Sequence, residues 1–437
     1  MRQELAGWGR YPRVYCAVEA PRSEGELAAL MDGTSQIARG KGRAYGDAAL
    51  QPKRTISMLN LNRFISFDPE GGLMVAEAGV TSEEIIDTFL PRGWFLPVTP
   101  GTKFVTLGGM IAADVHGKNH HGAGSFGAHV AWIDVMDETG EVHRAQAGSP
   151  LFDQTVGGMG LTGVILRAAL RLKPVETGWI RQETIIAQDL DAAMAALEAG
   201  ESAEYSVAWI DTLATGRDFG RSLIYLGEHA RVEELPRWNR ENALTPPRRG
   251  LKTIPIDAPD WVLNRLSAKA FNALYYRAGK RKAGHGLIDW DTYFYPLDAV
   301  GGWNRLYGRR GFSQYQCAFP LAASRAGLGE ILETLAAAKV GAFLSVLKLF
   351  GPGTGKGISF PIEGYTLTMD FPMSAASHAL MDRLDGIVAR YDGRLYLAKD
   401  SRQSPDLMRQ GYDGQLSAFS QARPRGFASL LSERLGI

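Results

Sequence analysis

The chain of 437 residues is 45% hydrophobic and 22% charged and has a formal net charge of +1, so it can bury a large core and has no general attraction for nucleic acid. Its two cysteines, Cys16 and Cys317, have neither the spacing of a metal site nor the number that a disulfide framework requires. The sequence shows no signal-peptide pattern and no apolar run of 18 residues. We therefore expect about two domains and a cytoplasmic or peripherally membrane-associated protein without a transmembrane helix.

Strands and helices alternate in the first hundred residues. The pattern predicts, in order, a strand at 14–18, a helix capped by Ser23, strands at 55–61 and 73–78, and a helix at 82–90. No internal repeat occurs, and the mixture indicates an α+β protein.

Two glycine-rich stretches interrupt this alternation. Residues 37–47 (IARGKGRAYGD) could present N–H groups and positive charge to a pyrophosphate, although a solvated basic turn is the alternative. Residues 100–127 (PGTKFVTLGGMIAADVHGKNHHGAGSFG) could be a surface loop, a metal site or a cradle for a phosphate-bearing cofactor. His116 and His120 are four residues apart, but Gly117 between them disfavours the helix on which a zinc site of that spacing depends.

Further along, residues 130–137 and 142–145 are predicted to form a hairpin. A G-x-G-x-x-G pattern follows at Gly158, Gly160 and Gly163. The dinucleotide-binding fingerprint must open a helix, whereas residues 164–172 are predicted to be a strand, so we interpret the pattern as a third glycine-rich cofactor contact instead. Residues 351–357 (GPGTGKG) lack the spacing of a P-loop and predict a flexible turn.

These segments, in this order, resemble the FAD-binding domain of the vanillyl-alcohol-oxidase (PCMH-type) flavoproteins. The matching motifs are the basic glycine loop, P-G-T at 100–102, V-T-x-G-G at 105–109, H-G-K-N-H-H at 116–121 and G-G-x-G-L-T-G at 157–163. Within that superfamily the chain is similar to the decaprenylphosphoryl-β-D-ribose 2′-oxidases, with further matching segments at 7–10, 206–211, 312–316, 348–352 and 395–402.

The resemblance implies a two-domain α+β fold. A PCMH-type FAD-binding domain (1–177) would be followed by a cap, or substrate, domain built on an antiparallel sheet (178–392), and residues 393–437 would return to the first domain. Many members of the superfamily attach the flavin to a histidine of the first glycine loop, where this chain has Tyr45, so noncovalent FAD is implied. The implied cofactor-binding residues are Ala38, Arg39, Gly40, Lys41, Gly42, Arg43, Ala44, Tyr45, Gly46, Asp47, Ala48, Gly101, Thr106, Leu107, Gly108, Gly109, Ala113, Asp114, Val115, His116, Ile165 and Tyr396.

Several polar residues of the cap are candidates for substrate binding. Gln314 and Gln316 alternate around Tyr315, which places both on one face of a predicted strand. Lys348 lies in a predicted apolar strand at 343–350, where a lysine is usually an edge residue with its ammonium in water. The resemblance instead directs it to a substrate cavity, and the full implied substrate-binding set is Tyr45, His116, Lys118, Trp209, Gln314, Gln316, Lys348, Thr368 and Lys399.

Lys399 follows a predicted apolar strand at 395–398 and adjoins Asp400, so a structural ion pair is the alternative to a catalytic role. The resemblance places Lys399 at the flavin and the substrate hydroxyl, with His116 as the other catalytic residue. Hydride transfer from a secondary alcohol requires that the alcohol proton be removed and that the reduced flavin's negative charge be stabilised. One lysine can serve either purpose.

At Thr368 the chain departs from the family members best known as drug targets. Those proteins carry a cysteine at this place in the strand, and the thiol is the attachment point for covalent nitroaromatic inhibitors. We expect this chain to escape such trapping while keeping turnover.

Residues 237–282 are strongly biased, with eleven Lys and Arg against three Asp and Glu and with aromatic side chains interspersed. The second half, 259–282, predicts an amphipathic helix. Its basic face could simply be solvated, but the polyprenyl-phosphate substrate that the resemblance implies lies in a bilayer, so we expect this segment to make a peripheral contact with anionic lipid.

The resemblance thus implies FAD-dependent oxidation of the 2′-hydroxyl of decaprenylphosphoryl-β-D-ribose, or of a related polyprenyl-phosphate pentose, to a 2′-keto product. This is the first half of an epimerisation that makes the arabinose donor for cell-wall arabinan. An NADH-dependent short-chain reductase would complete it, and quinone or oxygen would accept the electrons. The alternatives are an aldonolactone or alditol oxidase of the same fold and a non-catalytic scaffold, which would not need Lys399, Gln314, Gln316 and Lys348 together.

Overall fold

The computed structural model describes residues 2–247, 249–250, 252–259, 261–338 and 340–437. The chain begins with four strands: β1 (Arg2–Ala6), β2 (Arg13–Glu19), β3 (Ile37–Arg39) and β4 (Thr55–Ser57). They form one sheet in the order β1-β2-β4-β3, in which β1 is antiparallel to β2 and the other neighbours are parallel. The first glycine loop therefore starts at the carboxyl end of β3, on the edge of this sheet.

A second sheet carries the larger core of the N-terminal part. The next strands are β5 (Phe64–Asp68), β6 (Leu73–Glu77), β7 (Trp94–Phe95), β8 (Val130–Met136), β9 (Val142–Gln146), β10 (Val164–Arg171) and β11 (Lys173–Pro174). Five of them form an antiparallel sheet in the order β5-β6-β10-β8-β9, and β7 pairs with β11. The predicted hairpin is confirmed as β8 and β9, and the predicted strand after the G-x-G-x-x-G pattern is confirmed as β10.

Short helices connect these strands: α1 (Glu24–Ala28), α2 (Ser82–Phe89), α3 (Leu107–Ala112), α4 (His120–Ala123) and α5 (Pro150–Thr155). Ser23 caps α1 as predicted, because its side chain accepts a hydrogen bond from the Glu26 N–H. Thr106 caps α3 in the same way through Gly109. The second glycine stretch thus contains a capped helix rather than one continuous loop.

The cap is built on one large sheet. Its strands are β12 (Trp179–Ala187), β13 (Tyr205–Ile210), β14 (Ser222–His229), β15 (Lys252–Thr253), β16 (Gly284–Asp289), β17 (Val300–Gly301), β18 (Phe312–Pro320), β19 (Phe343–Phe350), β20 (Gly364–Pro372) and β21 (Arg394–Leu395). Eight of them form a sheet in the order β16-β12-β14-β13-β19-β20-β18-β21 with antiparallel neighbours, and β15 pairs with β17. The expected α+β class and the antiparallel cap sheet are both present.

The remaining helices are α6 (Leu190–Ala199), α7 (Arg237–Arg240), α8 (Arg265–Lys280), α9 (Trp290–Phe294), α10 (Leu321–Ala337), α11 (Ala375–Arg390), α12 (Pro405–Ala422) and α13 (Leu430–Leu435). Helices α6, α10 and α11 pack on one face of the cap sheet and share a hydrophobic core with it. Helices α12 and α13 pack instead with Ile37 and Ala48 beside the first glycine loop. Among the described residues, no helix is long and apolar enough to cross a membrane.

Three predicted elements differ from the structure. The strand predicted at 55–61 ends at Ser57. The strand predicted at 395–398 is wrong, because β21 ends at Leu395 and the N–H groups of Lys399 and Asp400 both donate to the Tyr396 carbonyl, which turns the chain. The helix predicted over 259–282 begins only at Arg265, where Asn264 caps it. Arg248, Leu251 and Asp260 of the basic segment lie outside the described residues.

Candidate active site

The face of the cap sheet opposite its helices carries a strip of polar side chains. Alternate residues of a strand point to the same face, and Tyr315, Leu347 and Leu367 belong to the helix-covered core. Their neighbours along the strands therefore face the other way. Antiparallel pairing sets Gln316 opposite Thr368, Gln314 opposite Asp370, and Lys348 opposite Thr366. The predicted shared face of Gln314 and Gln316 is confirmed, and these residues form one surface directed at the N-terminal part.

His116 joins this strip to the second glycine stretch. Its ring lies at 4.7 Å from the Phe350 ring, and its Nε2 is 3.0 Å from the Gln316 side-chain amide nitrogen. Because that nitrogen can only donate, His116 Nε2 accepts, and the ring is neutral with its proton on Nδ1. Burial lowers the pKa of His116 well below its usual value, and the positive charge of Lys348 lowers it further. The Nδ1 atom is buried without a partner among the described residues.

Lys399 meets the first glycine loop. The turn after β21 places its Nζ 3.8 Å from the centre of the Tyr45 ring, which also packs edge-on against Phe312 at 5.5 Å. Burial lowers the pKa of Lys399 to about 7, while the Asp370 carboxyl acts in the opposite direction and Lys348 adds to the lowering. An amine with such a pKa can hold or release a proton near neutral pH.

Asp370 is the residue of this cluster that the sequence analysis missed. Its side chain is fully buried and accepts hydrogen bonds from Gln314 Nε2 at 2.6 Å and from the Tyr307 hydroxyl at 3.3 Å. Burial raises the pKa of its carboxyl to about 7, against the hydrogen bond from Gln314 and the charge of Lys399. The alternation that identified Gln314 and Gln316 could have found it, since Asp370 lies two residues after Thr368.

Lys118 and Lys348 bring further positive charge to the same interior. The ammonium of Lys118 donates to the Tyr293 carbonyl and lies 4.0 Å from the centre of the Tyr293 ring. Burial lowers the pKa of Lys118 to about 7, and Lys348 reinforces this effect. Burial alone lowers the pKa of Lys348 to about 8. Lys348 therefore acts electrostatically on Lys118, on His116 and on Lys399, which defines one buried cationic site.

Trp209 and the other histidines lie at the margins of this site. Trp209 is in β13, opposite Val346, so it shares the polar face, but its ring packs against Tyr275 of α8 at 4.8 Å. His120 contacts Ser125 at 3.2 Å, and burial lowers its pKa to about 3. The side chain of Thr368 is partly exposed between buried neighbours on β20 and lies on the polar face, where it is paired with Gln316.

The two glycine stretches form a cradle. A Cβ at Gly40 would lie 2.1 Å from Thr106 Oγ1, so only glycine lets the first loop approach the cap of α3 this closely. A Cβ at Gly46 would lie 1.8 Å from the Asp400 carbonyl oxygen. Glycine is therefore also required where the first loop packs against the turn that carries Lys399. Tyr396 closes the far side by donating to the Ala113 carbonyl at 3.0 Å.

The polar atoms of this cradle show where a cofactor can be held. The Arg43 guanidinium stacks on Trp8 at 4.0 Å, and its Nε is buried without a partner among the described residues, like His116 Nδ1. Arg39 and Asp47 are committed within the protein, to the Ala6 carbonyl and to Arg434 respectively, so their side chains are not free for a ligand. The open backbone, Arg43 and the unpartnered His116 nitrogen fit a large phosphate-bearing cofactor with a ring system near His116.

Lys41 is exposed and lies 5.6 Å from the centre of the Phe104 ring, and Gly101 has open space around it. Asp114 is buried and accepts from Ser359 and from the Gly127 N–H, which fixes the backbone that leads to His116. Ile165 is buried in β10, within the core beneath the second stretch.

Comparison with known proteins agrees with this geometry. A family model described as an FAD binding domain matches residues 16–146. A decaprenylphosphoryl-β-D-ribose oxidase of Mycolicibacterium smegmatis is 37% identical in an alignment that covers 100% of this chain and 98% of that protein. This chain belongs to the decaprenylphosphoryl-β-D-ribose oxidase family. The family assignment and the FAD-binding domain predicted from the sequence are both confirmed.

Two other relatives set the limits of the similarity. An uncharacterized protein of Streptomyces coelicolor, from the mprA 5′ region, is 36% identical over 82% of this chain and 100% of its own length. A D-lactate dehydrogenase of Anaerostipes hadrus is 26% identical over 27% of this chain and 26% of its own. The chain is thus an FAD-dependent oxidoreductase, and its likeness to this D-lactate dehydrogenase is confined to 27% of its length.

Proposed function

We propose that this enzyme oxidises the 2′-hydroxyl of decaprenylphosphoryl-β-D-ribose, or of a related polyprenyl-phosphate pentose, to the 2′-keto compound. The name of the M. smegmatis relative supplies the substrate class. The observation that carries the proposal here is the buried cationic site, in which Lys348 acts on both Lys118 and Lys399, and Asp370 is the one carboxyl among the described residues that acts on any of the three lysines. Buried charge of one sign is costly unless a partner arrives, and a substrate phosphate is such a partner.

The residues of the site have separable tasks. When bound, FAD accepts the hydride of the carbinol carbon, which leaves the hydroxyl proton to the protein. Lys399, with a pKa of about 7, takes or hydrogen-bonds that proton. Gln314 and Gln316 orient the sugar hydroxyls, since Asp370 and His116 fix their amide groups. Lys348 binds the phosphate as a point charge.

The FAD is proposed to be noncovalent, because the first glycine loop offers Tyr45 at the place of the tethering histidine. Acid precipitation of the purified enzyme tests this point. Yellow flavin should appear in the supernatant, and flavin that stays with the pellet would contradict the proposal. A colourless protein that takes up no added FAD would contradict the cofactor assignment itself.

An aldonolactone or alditol oxidase is the alternative within the same fold. Its substrates are uncharged polyols, which would leave the buried lysines without an anionic partner. Anaerobic mixing of the holoenzyme with a polyprenylphosphoryl-β-D-ribose and, separately, with soluble alditols and aldonolactones distinguishes the two. We expect the polyprenylphosphoryl-β-D-ribose to bleach the flavin and the soluble alditols and aldonolactones to leave it oxidised. Bleaching by the soluble polyols alone would overturn the proposal.

We further propose that α8 contacts the surface of the membrane in which the lipid substrate lies. One side of α8 is buried through Ala268, Asn272 and Tyr276, and the other exposes Leu266 and Leu274, which are 79% and 67% accessible. Other large apolar side chains of this basic segment are exposed as well, namely Trp238, Ile256, Trp261 and Phe271. Apolar side chains surrounded by Lys and Arg favour an anionic bilayer surface, with about 1 kcal/mol for each basic residue near it.

Co-sedimentation with vesicles of phosphatidylglycerol and phosphatidylcholine tests this contact. Changing Lys280, Arg281 and Lys282 to Glu should abolish binding. A control variant carries three charge reversals at exposed residues elsewhere, Lys53, Arg171 and Arg409. This variant should keep most of the vesicle binding. Equal binding by the two triple variants would contradict the assignment.

The product chemistry implies two partners. A 2′-keto sugar must be reduced from the other face to complete the epimerisation that yields the arabinose donor of cell-wall arabinan, so an NADH-dependent short-chain reductase is proposed as the second subunit. Quinone or oxygen is proposed to reoxidise the flavin.

A further inference from the structure

Arg434 of α13 connects the first glycine loop to the turn after β21, which carries Lys399. Its guanidinium forms two hydrogen bonds with Asp47 of the loop, from Nε to Oδ2 at 3.0 Å and from Nη2 to Oδ1 at 3.0 Å. The same Nη2 donates to Asp400 Oδ2 at 2.9 Å, and Nη1 donates to the Gln403 carbonyl at 2.7 Å. All three nitrogens of this side chain are therefore engaged, with the loop on one side and with the turn on the other.

The backbones of these two segments meet at the same place. The Tyr45 N–H donates to the Ala398 carbonyl at 2.9 Å, and Gly46 packs against the Asp400 carbonyl with no room for a Cβ. The Nζ of Lys399 lies over the Tyr45 ring at 3.8 Å. The position of the Lys399 amine relative to the first glycine loop thus depends on how the loop and the turn are held together.

The two carboxyls that Arg434 contacts are buried. The side chains of Asp47 and Asp400 are 5% and 3% accessible. Asp400 Oδ1 accepts from the N–H groups of Arg402 and Gln403 at 2.9 and 2.8 Å, which directs Oδ2 to the guanidinium. A buried ion pair that loses one partner leaves a costly unpaired charge. Without Arg434, two buried carboxylates would face each other, so we expect the loop and the turn to separate.

Helix α13 is held in place independently of Arg434. Gln51 Nε2 donates to the Glu433 carboxyl at 2.9 Å, and the Leu430 N–H donates to the Leu50 carbonyl at 2.8 Å. The apolar side of the helix belongs to the core beside the first glycine loop. The helix therefore presents the guanidinium from a fixed position, and the loss of this group alone should not detach the helix.

We propose that Arg434 is a positioning residue for the oxidation. It acts through Asp47 and Asp400, and it holds the amine of Lys399 at the distance from the first glycine loop at which the amine can take the substrate proton. The last helix of the chain is thereby part of the support of the active site. The inference rests on the proposed function for the role of Lys399, whereas the connection between the loop and the turn does not depend on it.

Hydrogen exchange of the holoenzyme in excess FAD, followed by mass spectrometry, tests this connection. In Arg434→Met, peptides that cover residues 39–48 and 394–403 should exchange faster together, each by at least about tenfold, because both lose the same anchor. Wild-type exchange in either of the two peptides would overturn the inference.

Arg167→Met is the matched control. Arg167 also bridges two carboxyls from separate elements, that of Asp134 in β8 at 2.8 Å and that of Glu24 in α1 at 3.1 Å. Its loss should lower stability in urea without faster exchange at 39–48 and 394–403, and the rate of flavin bleaching should stay within about twofold of the wild type. Equally fast exchange of these peptides in Arg167→Met would reveal a general loss of stability and would overturn the specific role of Arg434.

Anaerobic flavin bleaching by a polyprenylphosphoryl-β-D-ribose tests the consequence for the reaction. In Arg434→Met the rate at saturating substrate should fall by about 10-fold to 100-fold, because a small displacement of a reacting group is costly. The half-saturating concentration should change by less than about threefold, since the substrate contacts remain. A wild-type rate at saturation would overturn the inference.

Arg434→Lys serves if Arg434→Met does not fold. A lysine keeps the charge, but its single ammonium cannot reproduce the planar fork to Asp47 together with the bonds to Asp400 and Gln403. Exchange in both peptides and the rate at saturation should therefore change in the same directions by smaller amounts. Wild-type values of both in Arg434→Lys would then overturn the inference.

The exchange measurement needs no substrate, so the two proposals can fail separately. Faster exchange of both peptides in an enzyme that no polyprenyl-phosphate pentose can bleach would reject the proposed function and retain the connection through Arg434. Wild-type exchange in an enzyme that oxidises this substrate would do the reverse.

Discussion

The two faces of the cap sheet are built from the same strands and have opposite chemistry. On the helix-covered face, Leu347 and Leu367 are fully buried against α6, α10 and α11. One residue further along each strand, Lys348 and Thr368 point to the other side. Buried apolar area stabilises a fold, whereas a buried lysine costs stability unless it gains a partner. Folding alone therefore does not account for the second face, whereas the proposed anionic ligand does.

The largest expected effect is at Lys399. Lys399→Met should reduce the rate of anaerobic flavin bleaching by about 10² to 10⁴, the usual contribution of a positioned acid or base. The free energy of unfolding should stay equal or rise, since a desolvated amine is removed. Lys53→Met, at an exposed lysine, serves as the control. A bleaching rate within twofold of the wild type for Lys399→Met would exclude a catalytic role.

On the helix-covered face the same kind of truncation should affect stability instead. Leu367→Ala leaves a cavity and should lower the free energy of unfolding by about 2 to 5 kcal/mol. Thr368→Ala, one residue away on the other face, should cost less than about 1 kcal/mol. Urea unfolding of both variants measures the difference, and equal losses would contradict the division between the faces.

The pH dependence of stability should reveal the buried ammonium of Lys348. Its pKa is about 8 in the fold and near 10.5 in the unfolded chain, so the unfolded chain binds more protons between these values. The penalty is present below pH 8 and disappears as the pH rises toward 10.5. Relative to Lys348→Met, the wild type should gain about 1 to 3 kcal/mol between pH 7.5 and 10. Parallel curves in urea unfolding would show that Lys348 is solvated.

The smallest effect on turnover is expected at Thr368. The wild type should form no adduct with nitroaromatic inhibitors of the covalent class, because it lacks the thiol. Thr368→Cys should gain the mass of one inhibitor after turnover and otherwise keep its rate within about twofold. An adduct on the wild type, detected by intact-protein mass spectrometry, would refute this expectation.

Much of the fold followed from local patterns. The cap Ser23, the β8–β9 hairpin and the strand that carries Lys348 all depend on neighbours in sequence, whereas the start of α8 at Arg265 was not predicted. The prediction of a strand at 395–398 was wrong because these apolar residues are buried in a turn. A run of apolar residues indicates that a segment is buried but does not distinguish a buried strand from a buried turn. The hydrogen bonds to the Tyr396 carbonyl that form this turn leave no trace in the pattern of apolar residues.

Most residues of the candidate site could be predicted from the sequence, but the contacts between them could not. Gln314, Gln316 and Lys348 were found from alternation and resemblance. The contact of His116 with Gln316 joins residues 200 positions apart, and only tertiary structure can show it. Asp370 was missed although it alternates with Thr368, because no residue near it in sequence marks it as part of the site. Asp370 belongs to the site because it accepts a hydrogen bond from Tyr307 and because the charge of Lys399 lowers its pKa, and both residues are distant in sequence.

Above all, we propose that the lysine-bearing face of the cap sheet binds an anionic sugar substrate. The most direct measurement compares anaerobic flavin reduction by a short-chain polyprenylphosphoryl-β-D-ribose with reduction by the matched polyprenyl riboside that lacks the phosphate. We expect the phosphate-bearing compound to reduce the flavin at least about 100-fold more efficiently, because its charge-assisted contacts to buried lysines are lost in the riboside. Equal efficiency of the two compounds would contradict a role of these lysines in binding the phosphate.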